Sequence, residues 1–436
     1  MGQTSTDTKK KTKVATNDAA LARKYALKHY NDVMYARGQW YRYEEGVWNK
    51  EDDIFVRHDI WRLLEAHENK GVRPTSGKVS SVLDGASVKL AVRKEGVDAA
   101  ENLINLKNGV YDLETQKLYP HKPDYYLTTQ LPFEYDPTAE AITWQMYLMS
   151  TFVKPRSVEF DKELAEFVQE AIGYSLTTSV AHHVTFWCYG EGANGKGVLF
   201  HALRQLGGSA CVPLNVGYLK REPYQLADLA GKRIALCSEA NATKNLVEDA
   251  IVKAIVGGDE LYARQVFKSG FTLEPRVKLW WSMNELPAVA DTSEGFWRRV
   301  RVIPFNRQFK KNERILDLKE RLDEELPGIF NWAMDGLRRL RNRGRFVEPT
   351  QVVDATEKYK KESNPVELFV EDECYTYDNA KVQSSVIYEA YRDWCQDNGF
   401  KAHSSKNFKQ EMERLGYYHK KEASYNVFLG VEMAVP

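Results

Sequence analysis

The sequence predicts an α/β protein: a parallel-sheet core with a helical bundle, an N-terminal α+β module and a C-terminal winged-helix-like domain. Three observations lead to this fold class. Short apolar runs of the buried-strand type, such as Ile234-Ala235-Leu236-Cys237, alternate with helical patterns through the middle of the 436-residue chain. A glycine-rich loop stands between one such run and the next helical pattern. Near the C-terminus, two helical patterns precede a hairpin pattern, which is typical of a winged helix.

Charge and cysteine content limit the classes of protein to which this chain can belong. Its 61 basic and 61 acidic side chains give a formal net charge of zero, so nucleic-acid binding has to come from local basic patches. No apolar run reaches the roughly 20 residues of a membrane-spanning helix, and we expect no membrane partner. The five cysteines are scattered without a C-x-x-C pair, so they indicate neither a zinc site nor a disulfide framework. The reducing cytoplasm is the simplest compartment for such a protein.

Changes in composition and periodicity divide the chain into six segments. A disordered basic tail is followed by the α+β module, a helical segment, the sheet core, a second helical segment and the winged-helix-like domain. Their predicted bounds are 1–20, 21–140, 141–182, 183–310, 311–348 and 349–436. Four aromatic residues of the α+β module could stack on nucleic-acid bases, but their alternation with polar residues favours sheet core and rim positions. They are Trp40, Tyr41, Tyr43 and Trp48.

The most specific pattern is the loop GEGANGKG at residues 190–197, between a strand pattern and a helical one. Glycines let such a loop curl so that several N–H groups point at one anion, and the next helix adds its positive N-terminal end. The loop fits G-x-x-x-x-G-K-[ST] except at Gly197, where a hydroxyl group usually binds Mg²⁺. We therefore predict a nucleoside triphosphate site with Lys196 at the β- and γ-phosphates. Its residues are Gly190, Glu191, Gly192, Ala193, Asn194, Gly195, Lys196, Gly197 and Val198.

Polar residues follow two other predicted core strands at their carboxyl ends. Glu239 follows the strand predicted at residues 234–237, and Asn284 follows the strand predicted at residues 278–283. Beside a phosphate-binding loop, a carboxylate can organise Mg²⁺ and the attacking water, and an amide can sense the γ-phosphate. An ordinary surface glutamate is the alternative interpretation of Glu239.

Two further basic groups could contact DNA or a second subunit. The pattern of residues 261–277 predicts a hairpin with Arg264, Phe267 and Lys268 near its tip. A contact with a nucleic-acid backbone and an ordinary solvent-exposed hairpin explain these tip residues equally well. Arg298 and Arg299 precede a predicted edge strand, where an arginine could complete a neighbour's nucleotide site.

Two clusters of basic residues lie further along the chain. The helical pattern at residues 312–345 ends in several arginines, for which a solvated face is the default interpretation. These are Arg338, Arg339, Arg341, Arg343 and Arg345. In the C-terminal domain the lysines fall on the second helix and the wing, where DNA binding and protein docking are equally supported. These are Lys406, Lys409, Lys420 and Lys421.

Four stretches resemble, in order and spacing, the superfamily 3 helicase domain of phage and plasmid primase-helicases and of the poxvirus primase-helicase. They are GEGANGKG, GKRIALCSE, IVGGDELYARQVFKSGFTLEPRVKLWWSMNELP and GFWRRVRVIPF. The stretch NLKNGVYDLETQKLYPH resembles the module before that helicase, and IFNWAMDGLRRL resembles the helical segment after it. The resemblance covers roughly residues 103–346 and is specific, because four separate motifs agree.

The resemblance implies an AAA+ fold that assembles as a ring, commonly a hexamer. It implies an ATP hydrolase that moves 3′→5′ along single-stranded DNA during the replication of a phage, another virus or a mobile element. ATP and Mg²⁺ are the implied cofactors. The implied partners are single-stranded DNA, forked duplex DNA, further copies of the chain, and a replicative polymerase or primase.

By position, the resemblance assigns roles to three residues around the loop. Lys196 contacts the phosphates, Glu239 is the catalytic acid and the metal-binding residue, and Asn284 is the sensor. Two departures from the family pattern accompany them. Gly197 replaces the Mg²⁺-binding hydroxyl residue, and Ser238 replaces one of the paired acids.

The resemblance also assigns the DNA contact and the trans-acting cation. Lys268 grips DNA from the hairpin, with Arg264 and Phe267 beside it, and Arg299 is the arginine finger with Arg298 as the alternative. The chain offers no clustered carboxylates or zinc pattern upstream, so we expect no priming activity. Two other functions stay open: an origin-binding initiator whose ATPase serves assembly, and a catalytically weak structural ring.

Overall fold

The computed structural model of the chain describes residues 17–215, 224–238, 249–264, 270–287, 289, 293–422 and 425–434. Its first helix, α1 (Asp18–Lys28), begins inside the segment predicted as a disordered tail. The Asn17 side chain accepts a hydrogen bond of 2.8 Å from the Ala20 N–H and satisfies one of the free donors at the helix start. Residues 18–20 therefore belong to α1, and the predicted tail bound is wrong.

The N-terminal module combines three helices with two small antiparallel sheets. After α1 come α2 (Asp53–Glu65) and α3 (Ser76–Lys89). One sheet consists of β1 (Val33–Ala36), β2 (Gln39–Glu44) and β3 (Val47–Glu51). The other consists of β4 (Leu103–Leu106), β5 (Gly109–Asp112) and β6 (Lys117–Tyr119). The strands β2 and β3 form one hairpin, and β4 and β5 form another.

The aromatic residues of this module lie in its core. Trp40, Tyr41 and Trp48 are buried, and the ring of the half-buried Tyr43 packs 5.2 Å from that of Trp48. Buried rings cannot stack on nucleic-acid bases, so the structure confirms the core interpretation of this alternating pattern.

The helical segment after the module consists of α4 (Ile142–Thr151) and α5 (Lys162–Ser175). The Glu325 carboxylate accepts hydrogen bonds from the N–H groups of Thr143, at 2.8 Å, and Trp144, at 3.0 Å. A carboxylate at this position satisfies free backbone donors and complements the helix dipole. The start of α4 is therefore fixed by a residue almost two hundred positions further along the chain.

In the residues that the structure describes, the core contains one large sheet and one separate strand pair. Its strands are β7 (Thr185–Tyr189), β8 (Cys211–Leu214), β9 (Ile234–Ser238), β10 (Leu261–Arg264), β11 (Gly270–Leu273), β12 (Lys278–Met283) and β13 (Val300–Pro304). Strands β10 and β11 pair with each other, and the other five form a parallel sheet in the order β13-β7-β12-β9-β8. The carboxyl ends of β7, β12 and β9 therefore lie side by side.

In the described part of the core, four α-helices connect these strands. They are α6 (Lys196–Gly207), α7 (Tyr224–Ala227), α8 (Asp249–Gly257) and α9 (Glu294–Trp297). The sequence pattern did not predict β8, which contains Pro213 and lies at the sheet edge, where the missing N–H of proline is tolerated.

The second helical segment contains α10 (Leu318–Glu324) and α11 (Leu326–Arg343), and α12 (Thr350–Glu362) follows it beyond the predicted bound at residue 348. Arg339 and Arg343 of α11 both form ion pairs with Glu170 of α5, a carboxylate that is 3% exposed. A buried carboxylate needs such partners, because its charge is costly to remove from water. The default interpretation of a solvated arginine face is therefore wrong for these two arginines.

The C-terminal domain has the winged-helix arrangement. Its helices are α13 (Pro365–Glu373), α14 (Ser384–Asp397) and α15 (Ser405–Arg414). Its strands are β14 (Cys374–Gln383), β15 (Tyr418–Glu422) and β16 (Tyr425–Met433), in the sheet order β14-β16-β15. The two predicted helices and the hairpin are present, and the unpredicted strand β14 completes the sheet.

Replacing Gly173 with alanine is expected to destabilise the fold by about 1–3 kcal/mol. Gly173 lies where α5 crosses α11, and a methyl group there would collide with the Ala333 carbonyl and lie 2.9 Å from Leu337 Cβ. Urea unfolding measures the change. The matched control is Gly77→Ala on α3, where a methyl group meets no atom within 4 Å, and which we expect to be neutral or stabilising.

Candidate nucleotide-binding site

The glycine-rich loop connects β7 to α6 and takes backbone conformations that side chains tolerate poorly. Gly190, Ala193 and Gly195 have φ values of 153°, 61° and 95°. A Cβ atom at Gly190 would lie 2.6 Å from the Phe305 carbonyl oxygen, so the close approach of two backbones also requires glycine here. The glycine spacing in the sequence thus reflects both conformation and packing.

Contacts from two other segments hold the loop in place. The Ala193 carbonyl accepts a hydrogen bond of 2.8 Å from the Phe309 N–H, and the Glu191 carboxylate accepts one of 2.6 Å from the Gln308 amide. The Tyr147 hydroxyl of α4 donates to the Gly195 carbonyl at 3.1 Å. The loop is therefore a preformed element, and α4 lies directly beside it.

Lys196 is the first residue of α6 and is 5% exposed. Its Nζ donates to the carbonyls of Gly190 and of Glu191, and to the Asn284 Oδ1 atom at 3.0 Å. Asn284 follows β12, the strand beside β7 in the sheet. The structure thus brings together two predicted site residues that are 88 positions apart.

Asn194 is a site residue whose individual role the pattern did not reveal. Its side-chain oxygen accepts from the Lys196 N–H at 3.3 Å, and its Nδ2 group is buried without a hydrogen-bond partner among the described residues. An unpaired buried donor is costly, and a phosphate oxygen in the loop would satisfy it. The donors present therefore fit a nucleotide phosphate.

The predicted magnesium position can be described only in part. Glu239 follows β9, whose Ser238 lies opposite Ser282 of β12, but Glu239 itself is outside the described residues. Within the described ranges no group of three His, Cys, Asp or Glu residues could hold a metal ion. At Gly197 a Cβ atom would meet nothing within 4 Å, so a side chain could be accommodated there.

The structure places Arg298 and Arg299 far from the loop of the same subunit. They precede β13, whose first residue, Val300, pairs with Thr185 at the amino end of β7. The length of β13 separates them from the loop, about 16 Å at 3.3 Å per residue. Arg299 is half-buried and donates to the Gly295 carbonyl, and burial together with the charge of Arg298 lowers its pKa.

Arg298 differs from Arg299 in its surroundings. It is exposed, and its side chain has no hydrogen bond or ion pair with any described residue. Of the two candidates for the arginine finger, Arg298 is therefore the one whose guanidinium group is available to a neighbour.

The predicted DNA-contacting hairpin is described at its base. Arg264 is the last residue of β10 and is exposed, and β10 pairs antiparallel with β11. Phe267 and Lys268 lie outside the described residues.

The fold is that of an α/β protein with a five-stranded parallel sheet, and its glycine-rich loop has the form of a phosphate-binding loop. Three family models match the chain: "D5 N terminal like" at residues 19–153, a family of unknown function (DUF5906) at residues 188–299, and "Poxvirus D5 protein-like" at residues 361–428. The motif resemblance is therefore confirmed: the chain is similar to D5-like superfamily 3 helicases.

The curated relatives are viral proteins whose names describe them as putative helicases. One, from Acanthamoeba polyphaga mimivirus, is 27% identical over 74% of this chain and 37% of its own length. Another, from Invertebrate iridescent virus 6, is 26% identical over 76% of this chain and 38% of its own length. The chain thus spans somewhat more than a third of the length of each of these two relatives.

A solved structure, the C-terminal region of NrS-1, shares the fold. It superimposes with a TM-score of 0.52 at 12% identity, covering 95% of this chain and 99% of that chain. The predicted fold class is confirmed by this likeness. No helix within the described ranges is long and apolar enough to cross a membrane.

Proposed function

We propose that the chain is an ATP-dependent DNA helicase of a virus or mobile element. In this proposal it forms a ring and moves along single-stranded DNA during replication in the host cytoplasm. The observation that carries the proposal is the 3.0 Å contact between Lys196 and Asn284 at the end of the phosphate-type loop. The helicase names of the viral relatives support it.

The loop geometry suits the binding of a triphosphate. The Asn194 Nδ2 group gains a phosphate acceptor, and the Lys196 ammonium exchanges the carbonyls of Gly190 and Glu191 for phosphate oxygens. Asn284, released from Lys196, then faces the γ-phosphate from the end of β12. Mg²⁺, when bound with ATP, would shield the phosphate charge, and Glu239 is the residue proposed to hold it.

The site is complete only when a second subunit contributes. Arg298 is exposed at the amino end of the sheet and cannot reach the loop at the carboxyl end of its own sheet. In a head-to-tail ring, however, one subunit's amino end would approach the next subunit's loop. A cation delivered in this way neutralises charge that develops on the transferred phosphoryl group.

An apolar face of α4 supports assembly through copies of the chain. Ile142, Met146 and Met149 line one side of the helix and are 60%, 61% and 56% exposed. The opposite side, with Trp144 and Tyr147, is buried. A helix that is apolar all round normally has every face covered. Since Tyr147 on the buried side holds the loop, the exposed apolar face points away from it, and we propose that a neighbouring subunit covers this face.

Met146→Glu is expected to weaken assembly of the chain about tenfold or more, because it places a charge in an apolar contact. Sedimentation equilibrium with ATP and single-stranded DNA measures the particle mass. Val88→Glu on α3, a change at a position 78% exposed, serves as the control and should leave the mass unchanged. An unaltered mass for Met146→Glu would exclude this face from the subunit interface.

Gly197→Ser is expected to lower the Mg²⁺ concentration needed for half-maximal ATP hydrolysis several-fold. The structure has room for the side chain, and a hydroxyl at this position is the usual loop ligand of Mg²⁺. Hydrolysis rates across a Mg²⁺ titration measure the change, with Gly197→Ala as the control. Equal Mg²⁺ concentrations at half-maximal hydrolysis for all three proteins would show that glycine at position 197 does not weaken the use of Mg²⁺.

A strand-displacement assay tests the proposed function directly. Purified protein with ATP and Mg²⁺ should release a labelled strand from a duplex with a single-stranded tail, and single-stranded DNA should stimulate its hydrolysis. Absence of both strand release and DNA-stimulated hydrolysis would overturn the proposal.

The C-terminal domain supports a second candidate function, an origin-binding initiator. Lys406 of α15 and Lys420 of β15 are exposed on the recognition helix and the wing of a winged-helix arrangement. Such a domain can read duplex DNA through its second helix. A footprint on one defined sequence, lost when residues after 349 are removed, would favour this function over unwinding.

A further inference from the structure

A cavity of about 360 Å³ lies between the N-terminal module and the amino ends of β9 and β12. The phosphate-type loop lies at the carboxyl ends of the strands, so the cavity is at the opposite end of the sheet, beside β11. Its volume is within the range of small-ligand sites, about 300–1,000 Å³. Five basic residues and three acidic residues line it: Arg37, Lys94, Lys232, Arg233, Arg276, Glu95, Asp98 and Glu274.

Two polar side chains that line this cavity are buried and incompletely paired. Arg233 is 2% exposed, and the acceptors of its guanidinium among the described residues are the backbone carbonyls of Leu176, at 2.8 Å, and Leu103, at 3.3 Å. Its Nε group has no partner among the described residues. Thr178 is 5% exposed, and its hydroxyl is equally unpartnered in the described part of the chain.

A further basic residue lies behind the cavity wall. Lys278 is 1% exposed, and its Nζ donates to the carbonyls of Thr177 and Ser179 and lies 5.1 Å from the centre of the Tyr174 ring. Burial and the nearby charges of Arg233 and Arg276 lower the pKa of Lys278 well below its usual value. The amino end of the sheet therefore brings several basic groups into a poorly solvated place, where burial favours the neutral form of Lys278 and Arg233 keeps its charge.

The neighbouring carboxylates pair with other cations of the cavity, including Glu95 with Lys94 at 3.9 Å. Asp98 accepts hydrogen bonds of 2.7 Å from the N–H and the hydroxyl of Thr128, and it pairs with Arg37 at 3.2 Å. Glu101 pairs with Arg276 at 2.6 Å and is mostly exposed. No described carboxylate forms an ion pair with Arg233 or Lys278. A buried cation without a counter-ion is costly, which indicates that an anion belongs here.

We propose that this cavity binds a phosphate group, as a second phosphate site separate from the glycine-rich loop. Arg233 and Thr178 are wall residues whose unused donors lie just below the cavity surface, so a phosphate would reach them through a small side-chain rotation, and the basic residues Arg276 and Lys94 also line the cavity. Guanidinium and hydroxyl groups are the donors that proteins use for phosphate oxygens. The phosphate could be a free ion or part of a DNA backbone that passes the base of the β10–β11 hairpin.

Equilibrium dialysis with radiolabelled inorganic phosphate at constant ionic strength tests the proposal. The wild-type chain should bind two phosphates, one in the loop and one in the cavity. Thr178→Val and Arg276→Gln should each weaken the cavity site about tenfold, since each removes a donor to a charged acceptor. Arg338→Gln, a change at an exposed arginine paired with Asp335, is the control and should still bind two.

A parallel variant separates this inference from the proposed function. Lys196→Ala should keep the cavity phosphate and lose the loop phosphate. If Lys196→Ala still binds two phosphates, the loop proposal fails and the cavity proposal stands. If both Thr178→Val and Arg276→Gln bind two phosphates with wild-type affinity, the cavity proposal is overturned.

Folding and the source of the phosphate are measured on the same proteins. Thr178→Val should melt at or above the wild-type temperature, because it removes a buried hydroxyl that has no partner. A 12-nucleotide oligo-dT that binds both variants more weakly than the wild type assigns the site to the DNA backbone. If the two variants bind inorganic phosphate more weakly but bind the oligo-dT as the wild type does, the ligand of the cavity is a free phosphate ion.

Discussion

Replacing Arg298 with alanine is expected to lower DNA-stimulated ATP hydrolysis by about 10³-fold or more while leaving ATP binding unchanged. The reason is the position of this residue. It is exposed at the amino end of β13 without a partner among the described residues, and in the proposed ring it would reach the loop of a neighbouring subunit. Steady-state hydrolysis and binding of a fluorescent ATP analogue measure the two effects separately.

Mixing experiments test whether Arg298 acts between subunits. Arg298→Ala subunits retain an intact loop, and Lys196→Ala subunits retain Arg298. A mixture of the two should therefore recover hydrolysis at the interfaces where an intact Arg298 meets an intact loop. No recovery in mixed particles of full mass would argue against action between subunits.

Arg299 provides the comparison that distinguishes the two candidates. Its guanidinium donates to the Gly295 carbonyl and helps to hold α9, so Arg299→Ala should lower stability more than it lowers turnover per folded subunit. If Arg299→Ala is folded but inactive while Arg298→Ala is active, Arg299 is the arginine finger.

Lys196→Ala is expected to lower hydrolysis by about 10²–10³-fold and to weaken ATP binding as well. The ammonium group is held at the loop by the carbonyls of Gly190 and Glu191 and by Asn284, so it is already positioned where the phosphates would lie. Removal of a positioned cation loses stabilisation of both the bound nucleotide and the transition state. Hydrolysis rates and ATP titrations measure these two losses.

The control for this change is Lys358→Ala on α12, a lysine that is largely exposed and pairs with Glu362. It should hydrolyse ATP at the wild-type rate. Circular dichroism on both proteins establishes that they are folded. A Lys196→Ala protein that binds and hydrolyses ATP normally would remove the loop from the proposed site.

The sequence by itself determined the local structure of the core. The bounds of β12 match the predicted strand at residues 278–283, and the loop at residues 190–197 has the positive φ values that its glycines predict at Gly190 and Gly195. Such features depend on backbone preferences and on the periodicity of neighbouring residues, and both can be read from consecutive positions.

Only the tertiary structure decided which distant residues meet. It brings Asn284 to Lys196 and places Arg298 at the end of the sheet away from the loop. It also pairs the buried Glu170 with Arg339 and Arg343. It also creates the cavity at Arg233 and Thr178, whose residues carry no motif. The physical reason is that charge pairing and burial are properties of the packed arrangement, whereas a short sequence pattern specifies only conformation and which face is apolar.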